Sequence, residues 1–395
     1  MAKILEKCYQ YKDAEKYMDL GLYPYFLPIN KVIDNKAIVD GKELIMVGSN
    51  NYLGLAQNLQ VSESALKALK EYGSSTCGSR FLNGTLSLHT DLENKLAEFM
   101  GYDGALAFST GFQTNLGIIP SLVTEDDAIV IDQYAHASLI DACMLSRGKI
   151  FRFRHNSPTH LRKVIQQAKM EAEGILVVVD GVYSMEGDIA RLSEIVPIAK
   201  EYDCAVFVDD AHGIGVLGKN GRGTVEHFGL INQVDLIMGT FSKAFASLGG
   251  FVVSNERIIH YIKHVSRPFI FSASISPANL GAVLGALEII KSEPWRRERL
   301  IEISKCMNRR FRDMGFNVGS SETPIIPVII GDMNTTLMMW KKLSEHGVFT
   351  NPIVAPAVPP NRCMIRTSYT ATISDDELEA VADAFFRAGK ELNII

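Results

Sequence analysis

The chain has 395 residues, which is longer than most single domains and predicts a large domain with a smaller partner. Hydrophobic residues make up 47% of the sequence and charged residues 22%, so the composition is that of a globular protein and excludes a disordered one. The formal net charge is -5 and no cluster of Lys and Arg stands out, which argues against a nucleic-acid partner.

Nothing in the sequence predicts a secretory leader, a membrane span or a metal site. The first residues contain no long apolar core, and no stretch approaches the roughly 20 apolar residues that cross a bilayer. The six cysteines are scattered, with no CxxC pair and no histidine at metal-ligand spacing. We therefore expect a cytoplasmic protein whose contact with a membrane, if any, is peripheral.

The N-terminal residues predict a polar helical stretch followed by an extended arm. The arm, residues 21–28, carries two prolines among aromatic residues, and proline disfavours a helix at and before its own position. Further along, short apolar runs alternate with segments of helical periodicity, which predicts a mostly parallel, doubly wound α/β sheet. The predicted strands are residues 105–108, 128–131, 175–179, 205–208, 236–238 and 251–253.

The pattern near the C-terminus is that of a smaller α+β domain. Helical periodicity over residues 295–315, 335–346 and 375–391 surrounds one apolar strand at 325–330. The sequence therefore predicts three segments. They are an N-terminal arm over 1–48, a large domain over 49–285 and a small C-terminal α+β domain over 286–395.

Two motifs that directly follow apolar strands carry the main chemical signal. Asp209 and His212 follow one predicted strand, and Lys243 follows the next, with Thr240 and Ser242 beside it. Open α/β sheets bind their ligands at this edge. Pyridoxal 5'-phosphate (PLP) needs a lysine amine, a carboxylate for its pyridine nitrogen and donors for its phosphate. The small residues around Lys243 favour a lysine packed against a ligand over a solvated loop lysine.

Other strands add candidates, and most have a simpler alternative. Gly111 opens an apolar helix whose N-terminus suits a phosphate, or it forms a capping turn. His136 follows another strand and would stack on a pyridine ring, or it precedes a helix without a ligand. Ser184 follows a third strand as a candidate cofactor contact. Arg366, in an apolar strand of the small domain, would bind an amino-acid carboxylate or form a structural salt bridge.

These motifs resemble those of the α-oxoamine synthases, PLP enzymes of fold type I that condense an amino acid with an acyl-CoA. The resemblance covers almost the whole chain, from residues 49–55 through 78–85 and 271–274 to Arg366. It implies a large domain with a mostly parallel, doubly wound sheet and a smaller α+β domain. It also implies a homodimer, because the active sites of this fold type lie at the subunit interface.

The resemblance implies a role for each matching residue. Lys243 would hold PLP as a Schiff base and then remove the Cα proton of the amino acid. His136 would stack on the ring and orient the substrate carboxylate. The other cofactor contacts would come from Gly111, Phe112, Ser184, Asp209, His212, Thr240, Ser242 and, from the second subunit, Ser274. The substrate contacts would come from Asn51, Ser79, His136 and Arg366.

Within the family, residues 21–28, 80–86 and 351–359 resemble those of bacterial members that condense L-serine with palmitoyl-CoA in sphingolipid biosynthesis. The reaction gives 3-ketodihydrosphingosine, CO2 and CoA. The aromatic arm residues 23–26 are candidates to line a groove for the acyl chain. One departure is Val354, where some relatives carry an arginine.

Two kinds of alternative stay open. Inside the family, the substrates would be glycine with acetyl-CoA, alanine with pimeloyl-CoA, or glycine with succinyl-CoA. Outside it, the chain would be a scaffold subunit that has lost catalysis. Scaffold relatives lack the lysine that this chain retains as Lys243, so the sequence favours an enzyme.

Overall fold

The computed structural model describes residues 2–395, whose contacts form two compact units. The larger unit is Asn50–Glu302, and the smaller one joins the chain up to Ser49 with Ile303–Ile395. The predicted limit at 285/286 falls inside the helix Pro277–Ser292, which packs on another helix of the larger unit, whereas the division by contacts falls inside the next helix, Trp295–Asp313. The segment predicted as an N-terminal arm is part of the smaller unit.

The described residues form fourteen strands and fifteen α-helices, with short 3-10 helices at Lys3–Leu5 and Pro360–Arg362. The strands are β1 (Lys31–Ile33), β2 (Lys36–Val39), β3 (Lys42–Met46), β4 (Gly104–Phe108), β5 (Ala128–Asp132), β6 (Lys149–Phe153), β7 (Ile175–Asp180), β8 (Ala205–Asp209), β9 (Leu236–Thr240), β10 (Gly250–Ser254), β11 (Ile325–Gly331), β12 (Val348–Phe349), β13 (Asn351–Ile353) and β14 (Cys363–Ser368). The helices are α1 (Glu6–Gln10), α2 (Asp13–Asp19), α3 (Leu59–Tyr72), α4 (Ser87–Met100), α5 (Gly111–Leu122), α6 (Ala137–Leu145), α7 (Pro158–Ala168), α8 (Leu192–Glu201), α9 (Thr224–His227), α10 (Glu256–Val265), α11 (Arg267–Ile270), α12 (Pro277–Ser292), α13 (Trp295–Asp313), α14 (Met333–Glu345) and α15 (Asp375–Glu391).

The larger unit is built on a seven-stranded sheet with the order β4-β10-β9-β8-β7-β5-β6. The pairs from β9 to β6 are parallel, and β10 runs antiparallel to β4 and β9. This topology confirms the mostly parallel, doubly wound sheet, and all six predicted strands are present. The sequence missed β6 because it is an edge strand in which exposed polar residues such as Lys149 and Arg152 interrupt the apolar run.

The sheet places polar side chains along one edge of an apolar framework. Helices α5, α7, α8 and α10 pack on strands that are largely buried. Because β5, β7, β8 and β9 are parallel, their carboxyl ends lie on the same side of the sheet. These strands end on Asp132, Asp180, Asp209 and Thr240.

The smaller unit contains two sheets, with the orders β1-β2-β3-β12 and β11-β14-β13. The helices predicted near the C-terminus are present as α13, α14 and α15, and the predicted strand is β11. Strands β1 to β3 were not predicted, because each is only three to five residues long and begins with a lysine. Among the described residues, none of the helices combines the length and apolar character that a membrane crossing needs.

Candidate active site

A cavity of about 290 Å³ lies at the carboxyl edge of the large sheet. Eight residues predicted from the sequence line it: Gly111, Phe112, His136, Asp209, His212, Thr240, Ser242 and Lys243. The other lining residues are Thr110, Ser138, Asp180, Ala211, Met238 and Leu248. The fold therefore brings together side chains that the sequence assigned to separate strand ends.

Asp209 ends β8 and is held in a fixed orientation at the cavity. The residue is 4% exposed. Asn115 Nδ2 donates to Asp209 Oδ2 at 2.7 Å, and the Ala211 N–H donates to Oδ1 at 3.1 Å. Asn115 lies on α5 and also donates to Ser138 Oγ at 2.8 Å. A carboxylate this deeply buried is stabilised by a positively charged partner, and a protonated pyridine nitrogen is such a partner.

His136 is the N-cap residue of α6 and follows β5. Its Nδ1 lies 2.8 Å from Ser138 Oγ, and its backbone N–H donates to Asp180 Oδ2 at 3.1 Å. Desolvation lowers the pKa of His136, the charge of Asp209 opposes this shift and the charge of Lys243 adds to it. The ring is therefore neutral near pH 7. A neutral imidazole fixed through Nδ1 suits stacking on an aromatic ligand.

One end of the cavity has the features of an anion site. Helix α5 begins at Gly111, and the side chain of its N-cap residue Thr110 accepts from the Gln113 N–H at 3.0 Å. The other N–H groups of the first turn have no acceptor within the helix, and the helix dipole favours a negative charge there. Thr240 Oγ1 and Ser242 Oγ lie 2.9 Å apart. A Cβ at position 111 would come within 2.8 Å of Thr240 Oγ1, so glycine permits this close approach.

His212 and Lys243 complete the walls of the cavity. The hydroxyl of Tyr52 lies 2.7 Å from His212 Nδ1, and both residues are buried. Tyr52 therefore fixes the orientation of the imidazole. Lys243 is half-buried and directly follows Ser242 in the loop after β9.

Sequence reasoning missed Asp180, Asn115 and Tyr52. Asp180 ends β7 as Asp209 ends β8, so the pattern of an acid after an apolar strand was available in the sequence. Burial raises the pKa of Asp180 well above its ordinary value, and the charge of Asp209 adds to the shift. Asp180 therefore takes up a proton more readily than an ordinary carboxyl group does. Asn115 and Tyr52 act through contacts across the fold, for which the sequence carried no signal.

Five predicted residues are not among the residues that line the cavity: Asn51, Ser79, Ser184, Ser274 and Arg366. Ser184 is half-buried in the loop after β7. The Oδ1 of Asn51 accepts from the N–H groups of Leu55 at 2.9 Å and Ala56 at 3.2 Å, so this side chain caps a turn. Their roles in binding stay predictions.

The other three residues of this set have different surroundings. Ser79 forms an isolated β-bridge with Ala273. The neighbouring Ser274 has its Oγ 2.8 Å from Thr76 Oγ1. Arg366 is buried on β14 of the smaller unit, where it pairs in register with Pro327 and Asn351.

The residues of the cavity fit PLP. Its walls carry the three groups that PLP needs. Asp209 is a carboxylate for the pyridine nitrogen, Lys243 is an amine for the carbonyl carbon, and the start of α5 is an anion site for the phosphate. The absent Cβ of Gly111 keeps the helix N-terminus and Thr240 close together, as a phosphate held by both requires.

Comparisons with known proteins show to which family the chain belongs. The family model for aminotransferase class I and II matches residues 42–385. The chain belongs to this family. The serine palmitoyltransferase of Sphingobacterium spiritivorum is 44% identical over 392 residues, which cover 99% of this chain and 98% of that protein. The 8-amino-7-oxononanoate synthase of Symbiobacterium thermophilum is 42% identical over 375 residues, which cover 95% of this chain and 96% of that protein.

The likeness extends to the three-dimensional structure. A solved serine palmitoyltransferase from S. paucimobilis, with a bound PLP–myriocin aldimine, matches with a TM-score of 0.96 at 35% identity. The match covers 100% of both chains. These findings confirm the predicted fold and place the chain among PLP-dependent members of the aminotransferase class I and II family.

Proposed function

We propose that the protein is a PLP-dependent serine palmitoyltransferase. The enzyme condenses L-serine with palmitoyl-CoA to 3-ketodihydrosphingosine, with release of CO2 and CoA, in sphingolipid biosynthesis. The observation that carries the proposal is the single cavity that unites Lys243, Asp209 and the anion site at Gly111. The full-length similarity to serine palmitoyltransferases supports this choice of substrates.

Lys243 is the residue that binds the cofactor covalently and moves the proton. With PLP bound, its Nζ would hold the cofactor and, when free, would accept the Cα proton of serine. PLP, when bound, supplies the electron sink for the negative charge left at Cα. That carbon would then form the new bond to the thioester carbonyl as the CoA thiolate leaves. The serine carboxyl group would depart as CO2 and leave its electron pair at Cα, and the proton held by Lys243 Nζ would return to that carbon.

The other residues of the cavity wall would bind the cofactor and orient the substrate. Asp209, held by Asn115, keeps the pyridine nitrogen protonated. His136 would stack on the ring and orient the serine carboxylate, and His212, fixed by Tyr52, would bind the phenolic oxygen. The N-terminus of α5 and the hydroxyls of Thr240 and Ser242 would hold the phosphate group.

A second cavity, of about 650 Å³ in the smaller unit, supports a long acyl chain as the other substrate. Most of its lining residues are aromatic or aliphatic: Tyr11, Ala14, Tyr17, Leu22, Tyr23, Pro24, Tyr25, Phe26, Met333, Leu337, Val354, Ala355, Pro356 and Ala357. The two charged residues of the lining are Asp13 and Lys16. Val354, where some relatives carry arginine, packs with Leu337 and Cys363 and keeps the wall apolar. A long chain gains about 0.8 kcal/mol for each CH2 that it buries, whereas a short thioester gains little.

Product identification tests the proposal. Purified protein is loaded with PLP and supplied with serine, glycine or alanine and with acetyl-, succinyl-, pimeloyl- or palmitoyl-CoA. CoA release and product mass are then followed. We expect the highest kcat/KM for serine with palmitoyl-CoA. Higher kcat/KM for alanine with pimeloyl-CoA would instead assign the activity of the 8-amino-7-oxononanoate synthases, to which the chain is also similar.

Lys243→Ala tests the covalent role of the lysine. Borohydride reduction should fix PLP to the Lys243 peptide of the wild-type protein and to no peptide of the variant, as read by mass spectrometry. The variant should lose at least roughly 1,000-fold in kcat, because it lacks both the covalent link and the base. Lys263→Ala, which removes an exposed lysine of α10, should behave as wild type. Labelling at another lysine would contradict the assignment.

We further propose a cytoplasmic homodimer. Ser274 does not line the active-site cavity of its own chain. Close in sequence to the β-bridge between Ser79 and Ala273, the large apolar side chains of Phe81, Leu82 and Phe271 are 53%, 78% and 74% exposed. Apolar surface of this kind fits an interface with a second copy, from which Ser274 would reach the partner's phosphate site. The six unpaired cysteines suit a reducing compartment.

A further inference from the structure

Outside the walls of the active-site cavity, His155 connects two loops that carry predicted site residues. It lies between β6 and α7. Its Nδ1 is 3.1 Å from Asp132 Oδ1, and its Nε2 is 3.1 Å from Asp188 Oδ2. Asp132 ends β5, four residues before His136, and Asp188 lies four residues after Ser184 in the loop after β7. The imidazole ring therefore bridges the two loops.

The geometry requires a proton on both ring nitrogens. An ionised carboxylate only accepts hydrogen bonds, and a neutral imidazole has a single N–H to donate. The bridge is shielded from water, because the side chains of His155, Asp132 and Asp188 are 16%, 0% and 10% exposed. Burial alone would lower the pKa of His155, but the hydrogen bonds and charges of Asp132 and Asp188 outweigh it and raise that pKa to about 10. Both hydrogen bonds are therefore charge-assisted, which makes them stronger than hydrogen bonds between neutral groups.

The flat faces and edges of the same ring contact both loops. Tyr134 stacks on His155 with ring centres 4.5 Å apart and planes at 25°. Tyr183 meets the ring edge-on, with centres 4.4 Å apart and planes at 90°. Tyr134 is two residues before His136, and Tyr183 is directly before Ser184. A cation against two aromatic rings adds attraction to the ion pairs.

The next residue, Asn156, also connects the loops after β5 and β7, through its backbone and side-chain amide groups. Its backbone N–H donates to Asp132 Oδ2 at 2.7 Å, and its Nδ2 donates to Asp188 Oδ2 at 3.1 Å and to Ile189 O at 2.9 Å. Its φ is 50°, which is the left-handed region that asparagine tolerates better than most residues. The turn after β6 is thus shaped to hold the loops after β5 and β7 together.

We propose that the His155 imidazolium is a positioning residue that keeps the turn at 132–136 and the loop at 180–188 at a fixed separation. Through this separation it sets the places of His136 and Ser184 at the cofactor. The two segments meet again at the cavity wall, where the His136 N–H donates to Asp180 at 3.1 Å. The inference rests on the proposed function for the identity of the cofactor.

The decisive variant is His155→Gln, which keeps a polar side chain of similar reach but has no charge. Hydrogen–deuterium exchange of the full-length protein without substrate should speed up by about tenfold in peptides covering 132–138 and 181–190. PLP affinity should fall by about tenfold and kcat by roughly 10- to 100-fold, because small displacements of ring-contacting groups are costly. The KM for palmitoyl-CoA should not change. His264→Gln, at an exposed position on α10, is the matched control and should match wild type in all four measurements.

A second substitution that partly restores the properties of His155→Gln distinguishes a positioning role of His155 from general damage to the fold. His155→Gln combined with Asp188→Asn has the same net charge as wild type at the bridge and should recover part of the PLP affinity and part of the exchange protection. If His155→Gln does not fold, Asp188→Asn alone serves. It should speed exchange in 181–190 more than in 132–138.

Unchanged exchange in both loops of His155→Gln, or faster exchange with wild-type PLP affinity and kcat, would overturn the inference. Exchange and PLP binding are measured without substrate. A wild-type protein that binds PLP but does not condense serine with palmitoyl-CoA would therefore refute the proposed function and leave the role of His155 standing.

Discussion

The orientation of Asp209 depends on the amide of Asn115. Asn115→Ala removes the 2.7 Å hydrogen bond to Asp209 Oδ2 and leaves that buried oxygen without its amide donor. Loss of one partner of a buried charged group costs about 1–3 kcal/mol. We therefore expect PLP affinity to fall by roughly 10-fold or more, together with kcat. Fluorescence titration of the PLP-free protein and an assay of CoA release measure the two effects.

Gln113→Ala is the matched control for this variant. Gln113 lies on the same helix, but its Nε2 donates to Pro268 O at 2.8 Å instead of to Asp209. Its loss should leave PLP affinity close to the wild-type value. Equal losses in both variants would mean that α5 as a whole had been disturbed, and the prediction for Asn115 would then be wrong.

Single residues were predictable where the chain itself places them at a strand end. Asp209 and Lys243 follow apolar strands, and this local pattern is visible in the sequence. Asn115 and Asp209 are separated by 94 positions, and Tyr52 and His212 by 160. From sequence alone, a polar residue on a helix or beside a turn is predicted to be solvent-exposed unless its distant partner is known. The side chains that orient Asp209 and His212 were therefore not predicted.

The turn after β6 makes the stability of the protein depend on pH. His155 has a folded pKa of about 10 against an ordinary value of 6.5, so its ion pairs stabilise the folded state fully below about pH 6.5. This contribution is lost as pH rises from about 6.5 through about 10, because folding then has to retain a proton that the unfolded chain releases. The charged and titratable groups facing the ring are Asp132, Asp188, Tyr134 and Tyr183.

We therefore expect the melting temperature of wild type to exceed that of His155→Gln most at about pH 6.5. The gap should narrow steadily toward about pH 10. Thermal unfolding followed by circular dichroism across this range, at constant ionic strength, measures it. A gap that stays constant with pH would show that the histidine stabilises the turn by packing alone.

Elements were predictable where they are long or apolar. The buried strands β5, β7, β8 and β9 and the helices α13 and α15 could be read from their periodicity. Strand β6 could not, since only its last residue, Phe153, is fully buried. The pairing of β12 with β3 joins Val348 to Ile45 and draws the N-terminal segment into the smaller unit. No local sequence pattern predicts a contact between parts of the chain that are so far apart in sequence.

The arm before β1 offers a test of the acyl-chain cavity. Phe26 lines that cavity and is 94% exposed, so truncating it should disturb the fold little. We expect Phe26→Ala to raise the KM for palmitoyl-CoA by roughly fivefold, through lost apolar contact, and to leave the KM for serine unchanged. Tyr9→Ala removes an aromatic side chain that is 67% exposed and outside the cavity lining, and should have no effect. A similar rise in both variants would refute a specific role of the arm.

At the scale of the whole molecule, the proposed dimer predicts an exchange of residues between subunits. A hybrid of one Lys243→Ala chain and one Ser274→Ala chain, purified through two different tags, has one site with a lysine. If Ser274 acts across the interface, that site receives the serine of its partner. The hybrid should then need the same PLP concentration for half-maximal activity as the wild-type dimer needs. Its kcat per dimer should be about half that of wild type, because one of its two sites is inactive.

The same hybrid distinguishes this arrangement from a serine that acts within its own chain. In that case the lysine-bearing site would lack the hydroxyl, and its PLP requirement would equal that of the Ser274→Ala homodimer. Light scattering provides the independent measurement, because a dimer has twice the 43.6 kDa mass of the chain. A particle of single-chain mass with full activity would contradict the dimer. It would also leave Ser274, whose Oγ lies 2.8 Å from Thr76 Oγ1, with a purely structural role.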